Sequence, residues 1–389
     1  MIAGLRPCSL VAALALACAS PSARTSPPAA GASPALEGQG PLLYVANQNG
    51  ASVSIIDLGK RAETARIDLQ ALGLGPNAKP HDTAVDPDGS HWYVTLIGEN
   101  RVLKLDRSNR LVGQVEMEVP GLVVSHPTRD LLLVGRSMTA VDPPSSIALI
   151  RRSDMTLVDE VDVLFPRPHA LAAGRDGRWA YTASLAVNQI AAIDLEGGDV
   201  NLVDVPAAGE PREEPVAAEP AGARHAAHSA HTLVEFAVSP DGGTMVAGGE
   251  VSGDLVVFDL SDPGAPRVTG AVPLGGAPWH PAFAPDGRYV WVPLHRADAV
   301  AVVDVSGWKV VERIRGRGLA QPHAVQPSPD GRWIFVSNNN TEGTYTPQGD
   351  DPLAGTLVVI DAETRRIVDV LEVGPNAAGI ETLPARPPR

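Results

Sequence analysis

Short apolar stretches recur along the 389-residue chain, and most of them end on an aspartate. They read VSIID ending at Asp57, VLKLD at Asp106, IAAID at Asp194, LVVFD at Asp259, VAVVD at Asp304 and LVVID at Asp361, with a seventh copy, IALIR, ending at Arg151. The steps between them are 49, 45, 43, 65, 45 and 57 residues, a base period near 45 with two insertions. A fixed period of this length is the mark of a repeat architecture. A second signal keeps the same phase, a tight turn followed by an apolar or aromatic run: PDGSHWYV at 87–94, PTRDLLLV at 127–134, RDGRWAYT at 175–182, PDGGTMVA at 240–247, PDGRYVWV at 285–292 and PDGRWIFV at 329–336. Proline presets φ, aspartate bonds back to the nearby backbone, and glycine takes the positive φ that closes a hairpin.

Each unit therefore predicts four antiparallel strands. Strand A precedes the turn (His323–Ser328), B follows it (Trp333–Ser337), C is the Asp-terminated run, and D is a short run such as Val310–Ile314. Four strands per 40–50 residues is the pattern of a propeller blade. The domain opens with a strand B at Leu42 and has a spare strand at Ala378–Leu383, which is expected to complete the first blade and remove the open edge. The fold expected is an all-β, seven-bladed propeller over residues 41–389, with insertions at 206–230 and 340–354. A ring closed on itself has no edge to share, so a monomer is expected.

The first residues look like an export signal. Arg6 is followed by an apolar run at 7–17, too short to span a membrane, ending in Ala15-Leu16-Ala17-Cys18. This resembles a bacterial lipobox, which implies cleavage after residue 17, a lipid on Cys18 and a place in the cell envelope. The favoured Leu three places before the cysteine is Ala15 here. The only other cysteine, Cys8, lies inside the signal, so the mature chain would hold no internal disulfide. Residues 18–40 are small, polar and Pro-rich, and read as a flexible tether.

Charge narrows the partners. The formal net charge is −14, and basic residues cluster only in pairs such as Arg151–Arg152. Nucleic acid is not expected without a basic stripe. The PDG turns offer no phosphate loop, and there is no Gly-x-Ser-x-Gly elbow and no Cys-x-x-Cys-His for covalent c-type haem.

The phrases PHAVQPSPDGRWIFVSNN (322–339), APDGRYVWV (284–292) and YVANQNGASVSIIDL (44–58) resemble the YVTN-repeat (YncE-like) β-propeller family over about residues 41–383. The resemblance implies the fold. It leaves function open, since such repeats recur in surface proteins, lactonases, cofactor dehydrogenase subunits and copper proteins.

Candidate chemistry gathers where strand A begins. His81, His169 and His323 occur in a repeated Pro-His, and His280 follows Trp279 at nearly the same place. His225, His228 and His231 end the longer insertion on the same face. Imidazole suits copper or another transition metal, so a His-rich metal site at the channel mouth is one expectation. The other is a repeat consensus, in which each His bonds a backbone carbonyl of a neighbouring blade. If ligands, these side chains would face solvent. The rim loops also offer Glu99, Glu250, His295, Arg296 and Asn338, from which a lactonase-type site could be assembled. The leading expectation is a membrane-tethered binding or scaffold module, presenting its loop-rich face to a protein, glycan or small molecule. A copper-dependent periplasmic oxidoreductase and a lactonase-type hydrolase are the alternatives.

Overall fold

The computed structural model describes Met1, residues 40–207 and residues 229–383. It holds seven four-stranded antiparallel sheets and, beyond strands, two single turns of 3₁₀ helix. The chain is a seven-bladed β-propeller. The innermost strands of blades II to VII are Pro80–Val85, Pro120–Ser125, Pro168–Ala173, Leu233–Val238, Ala282–Phe283 and Pro322–Pro327. Three further strands follow each of them outward in chain order.

Blade I is built from both ends of the domain. Ala377–Leu383 forms its innermost strand and pairs antiparallel with Leu42–Asn47, with Tyr44 opposite Glu381 and Val45 opposite Ile380. This is the closure that the unpaired first strand implied. It is also a packed joint. Leu43 and Val45 of blade I share a buried cluster with Phe335, Leu357 and Val359 of blade VII, and Tyr44 stacks on Trp92 of blade II at 4.4 Å.

The middle two strands of each blade are buried on both faces, because a blade lies against each side. Their apolar runs are accordingly continuous, whereas outer strands such as Leu111–Glu116 alternate. The recurrent aspartates have a common task. Asp57, Asp106, Asp194, Asp259, Asp304 and Asp361 each accept backbone N–H groups from the turn that follows, from Lys60, Ser108, Glu196, Ser261, Ser306 and Thr364 at 2.7–2.9 Å. In the copy that ends at Arg151, Asp154 does this work, accepting from Thr156 N–H and pairing with Arg151. The PDG turns behave as their residues imply. Asp330 accepts from Arg332 N–H at 3.1 Å, and Gly331 stands at φ 70°, where a side chain would be strained.

The shorter insertion is ordered by its own contacts. Asn340 binds both Tyr345 and the Ala354 carbonyl at 3.0 Å, and the Tyr345 hydroxyl donates to Glu372 at 2.7 Å. Of the longer insertion, residues 208–228 lie outside the described residues.

Candidate functional site

The axis of the ring carries two chemical layers. The first is aromatic. His81, His169 and His323 follow the prolines that begin their inner strands, and His280 joins them by a different route. Pro281 has no N–H, so the inner strand of blade VI is cut down to Ala282–Phe283. His280 instead reaches sideways: its N–H donates to His323 O at 3.3 Å, and its carbonyl accepts from Val325 N–H. The ring centroids lie 4.5 Å apart for His280 and His323, 5.9 Å for His81 and His323, and 6.3 Å for His81 and His169. Trp279 meets His323 edge-on at 4.8 Å and stacks face to face on His295 at 3.9 Å.

These four histidines do not face solvent, contrary to the expectation. They are between 0% and 6% exposed, because their rings pack against one another and against Trp279. Burial holds all four neutral. His81 is lowered to about 3 and His169 to about 4, and His280 and His323 fall well below the ordinary value. Among the described residues no three His, Cys, Asp or Glu side chains meet in the arrangement of a metal centre. The rings pack against one another and against Trp279, and His169 Nδ1 is committed to the Arg136 carbonyl of blade III at 2.7 Å. That backbone bond is of the kind a repeat consensus would make, but neither ring nitrogen of His81 makes one. His231 also serves the backbone, with Nε2 on the Pro206 carbonyl at 2.8 Å. His225, His228 and Cys18 lie outside the described residues.

The second layer is acidic and was missed in the sequence. Asp82, Glu235 and Glu381 project from the innermost strands of blades II, V and I into a cavity of about 670 Å³. His280 stands at its inner end, and the turn residues Pro127, Arg175, Pro240, Pro285 and Pro329 line the other. The cavity thus runs to the PDG-turn side, the face whose turns the sequence reads as structural punctuation. Each acid accepts a hydrogen bond. Asp82 accepts from Val123 N–H at 2.9 Å, Glu235 from Phe236 N–H at 2.9 Å, and Glu381 from Gln326 Nε2 at 2.8 Å. Burial pushes Asp82 and Glu381 up to about 7, and raises Glu235 well above its ordinary value, with the Asp82 charge adding to both glutamates. His280 Nδ1 stands 3.8 Å from Glu235 Oε2. Both groups are shifted toward their neutral forms, so this is an acid–imidazole contact and not an ion pair.

The rim residues each have local partners. Glu99 accepts from Gly75 N–H at 2.9 Å, Glu250 pairs with Arg296 at 3.2 Å, and His295 is spent on Trp279 and the Pro322 carbonyl. Asn338 is fully buried and satisfied by the backbone at Ala320, Val336 and Thr356, which removes it from any rim surface. Glu250 and Arg296 thus meet as an ion pair beside His295, while Glu99 is engaged separately by the backbone. The signal for the true acidic layer was present: Asp82 and Glu235 sit at a place where other innermost strands carry Leu122, Ala170 or Ala324. An acid in an otherwise apolar innermost strand is the feature to look for.

Solved structures resemble the fold at low identity. A functionally unknown protein from Desulfotomaculum acetoxidans is 15% identical, with 88% of this chain and 98% of that one covered and a TM-score of 0.65. The dihydro-heme d1 dehydrogenase NirN in complex with DHE is 16% identical, covering 87% and 74%, with a TM-score of 0.59. Kuenenia stuttgartiensis hydrazine synthase is 16% identical, covering 79% and 96%, also at 0.59. No curated protein matches the sequence. The family model described as "Lactonase, 7-bladed beta-propeller" matches residues 114–354, more than half of the chain. The chain belongs to the lactonase seven-bladed β-propeller family.

Proposed function

We propose that the protein is a hydrolase that opens a small lactone or related ester inside the channel cavity. The observation that carries this reading is the contact between Glu235 Oε2 and His280 Nδ1 at the inner end of the cavity, in a member of the lactonase family. A carboxylate raised by burial is a stronger base once ionised, and a neutral imidazole beside it leaves its charge unquenched.

In the step proposed, Glu235 removes a proton from water as the water oxygen adds to the lactone carbonyl. The carbonyl π electrons move onto oxygen. Collapse re-forms the C=O bond and breaks the ring C–O bond, and the departing alkoxide takes the proton back from Glu235. The product is a hydroxy acid, equal in atoms to lactone plus water. General-base catalysis of this kind contributes about 10²–10⁴-fold. Turnover of simple sugar lactones and phenyl esters, lost by about that factor in Glu235→Gln, is the expected result. Absence of turnover in the parent protein, or full turnover in Glu235→Gln, would overturn the proposal.

A second reading keeps the loop-rich face as a docking surface for a partner. Four aliphatic side chains on its loops, Val141, Leu164, Val251 and Leu353, are between 62% and 95% exposed, which favours it. A pull-down that loses its partner when all four become serine supports it; one that is indifferent to them removes it.

A further inference from the structure

The three acids share one cavity, and the titratable groups that face them do little to answer their charge. Arg175 lies at the turn end, its Nε turned to the Ser239 carbonyl at 3.4 Å. His280 stands at the inner end, and behind it are His81, His169, His323 and His295, all held toward the neutral form by burial. Asp82 is bonded by the backbone at Val123 and Thr83, while the bonds to Glu235 and Glu381 fall on one oxygen of each, leaving Glu235 Oε2 and Glu381 Oε2 without a hydrogen bond to the described residues. A second, independent sign of a built site is His280 itself. It is 6% exposed, it lines the cavity, and its ring makes no hydrogen bond to the described residues, Glu235 being too far at 3.8 Å. The remaining wall mixes apolar residues such as Val123 and Ile380 with polar ones such as Thr83 and Gln326, alongside Phe236 and Phe283.

We infer that the cavity takes an organic cation, a primary or quaternary amine on an apolar body, with its charged nitrogen set among Asp82, Glu235 and Glu381. A cavity of about 670 Å³ suits a small organic molecule. A bare metal ion suits it poorly. Calcium wants about six to eight oxygens at ~2.3–2.6 Å, and among the described residues no such group converges. Buried carboxyls that repel one another are stabilised in the ionised form by a cation between them, and aromatic faces attract an ammonium as well. The inference concerns what binds, and it stands whether or not a lactone is opened there.

Binding should release protons and strengthen as the acids ionise. Benzyltrimethylammonium, whose charge does not titrate, is the probe, with benzyl alcohol and benzoate as comparators of similar size. By calorimetry its affinity is expected to rise about tenfold or more between about pH 5.5 and about pH 8, the range in which only the carboxyls of the cavity change charge. Asp82→Asn/Glu381→Gln should lose about tenfold or more at about pH 8 while keeping the parent's far-UV spectrum and cooperative unfolding. Should that double variant fail to fold, the comparator and pH series on the parent protein decide the matter alone. Benzoate or benzyl alcohol binding as tightly as the cation would overturn the inference, as would an affinity indifferent to pH. Stoichiometric calcium binding that the double variant abolishes would replace the organic cation by a metal ion, and so would also overturn it.

Discussion

Asp82→Asn should stabilise the protein, and more so in alkali than in acid. Asp82 is half-buried in the wall of the channel cavity, and its carboxyl is pushed from 3.8 up to about 7, chiefly by desolvation. Asparagine keeps the shape and keeps an oxygen for Val123 N–H, now bonded at 2.9 Å. It removes the cost of ionising there. Raising a carboxyl from 3.8 to about 7 costs the folded, ionised form about 4 kcal/mol. The sign follows from proton counts. Between the two values the folded state holds a proton that the unfolded state has lost, so parental stability falls as pH rises through this window and levels off above about 7. About 1.6 kcal/mol of that cost is already present at about pH 5, so the advantage of Asn over Asp should grow by about 3 kcal/mol between about pH 5 and about pH 8. The buried histidines titrate in both proteins and cancel in the difference. Urea unfolding followed by tryptophan fluorescence, with both proteins measured at each pH, reads this directly. A difference that is flat with pH, or larger in acid, would refute the reasoning that Asp82 is desolvated without a compensating charge.

Three further outcomes follow from the structure. Deleting residues 377–389 should leave Leu42–Asn47 unpaired on one side, so the truncated protein should aggregate or unfold at markedly lower temperature, measured by light scattering during a thermal ramp. His169→Leu should cost about 1–3 kcal/mol, since it orphans the buried Arg136 carbonyl. His81→Leu should cost less, since both ring nitrogens of His81 lack partners; urea midpoints rank the two, and the reverse order would contradict the assignment. Cys18→Ser should move the protein from the membrane fraction to the soluble fraction if Cys18 is lipidated as its flanking residues imply, and an unchanged distribution would remove the anchor.

The frame of this molecule was legible because its signals are local. An aspartate that ends a strand and a glycine at positive φ act within four residues of themselves, so each can be recognised without knowing what lies across the ring. Strand bounds moved only slightly, Ala378–Leu383 becoming Ala377–Leu383. The site was harder, because burial on the axis is set by what six other strands contribute. Gly121 and Gly379 lack the histidine found in other copies for a reason visible only in space. A Cβ on Gly379 would stand 2.2 Å from Asp82 Oδ1, and one on Gly121 2.5 Å from the Arg136 carbonyl oxygen. Glu235 carries no repeat signal of its own, because Val234 occupies the place that aligns with the histidines and Glu235 lies beside it. Glu381 lies on the returning tail, where no turn marks the register.

The joint between Leu42–Asn47 and Ala377–Leu383 also sets an order of events during biosynthesis. The earliest part of the domain to emerge cannot finish its own sheet until the latest arrives. At about 5–20 residues per second the wait is roughly 20–70 s. Throughout that interval a strand that is buried along its whole length in the finished ring has one flank free, so a holding factor or rapid docking of the intermediate sheets must shield it. The ring is sealed only when Ala377–Leu383 reaches the first blade, and a chain stalled before that strand leaves an open spiral with two adhesive ends.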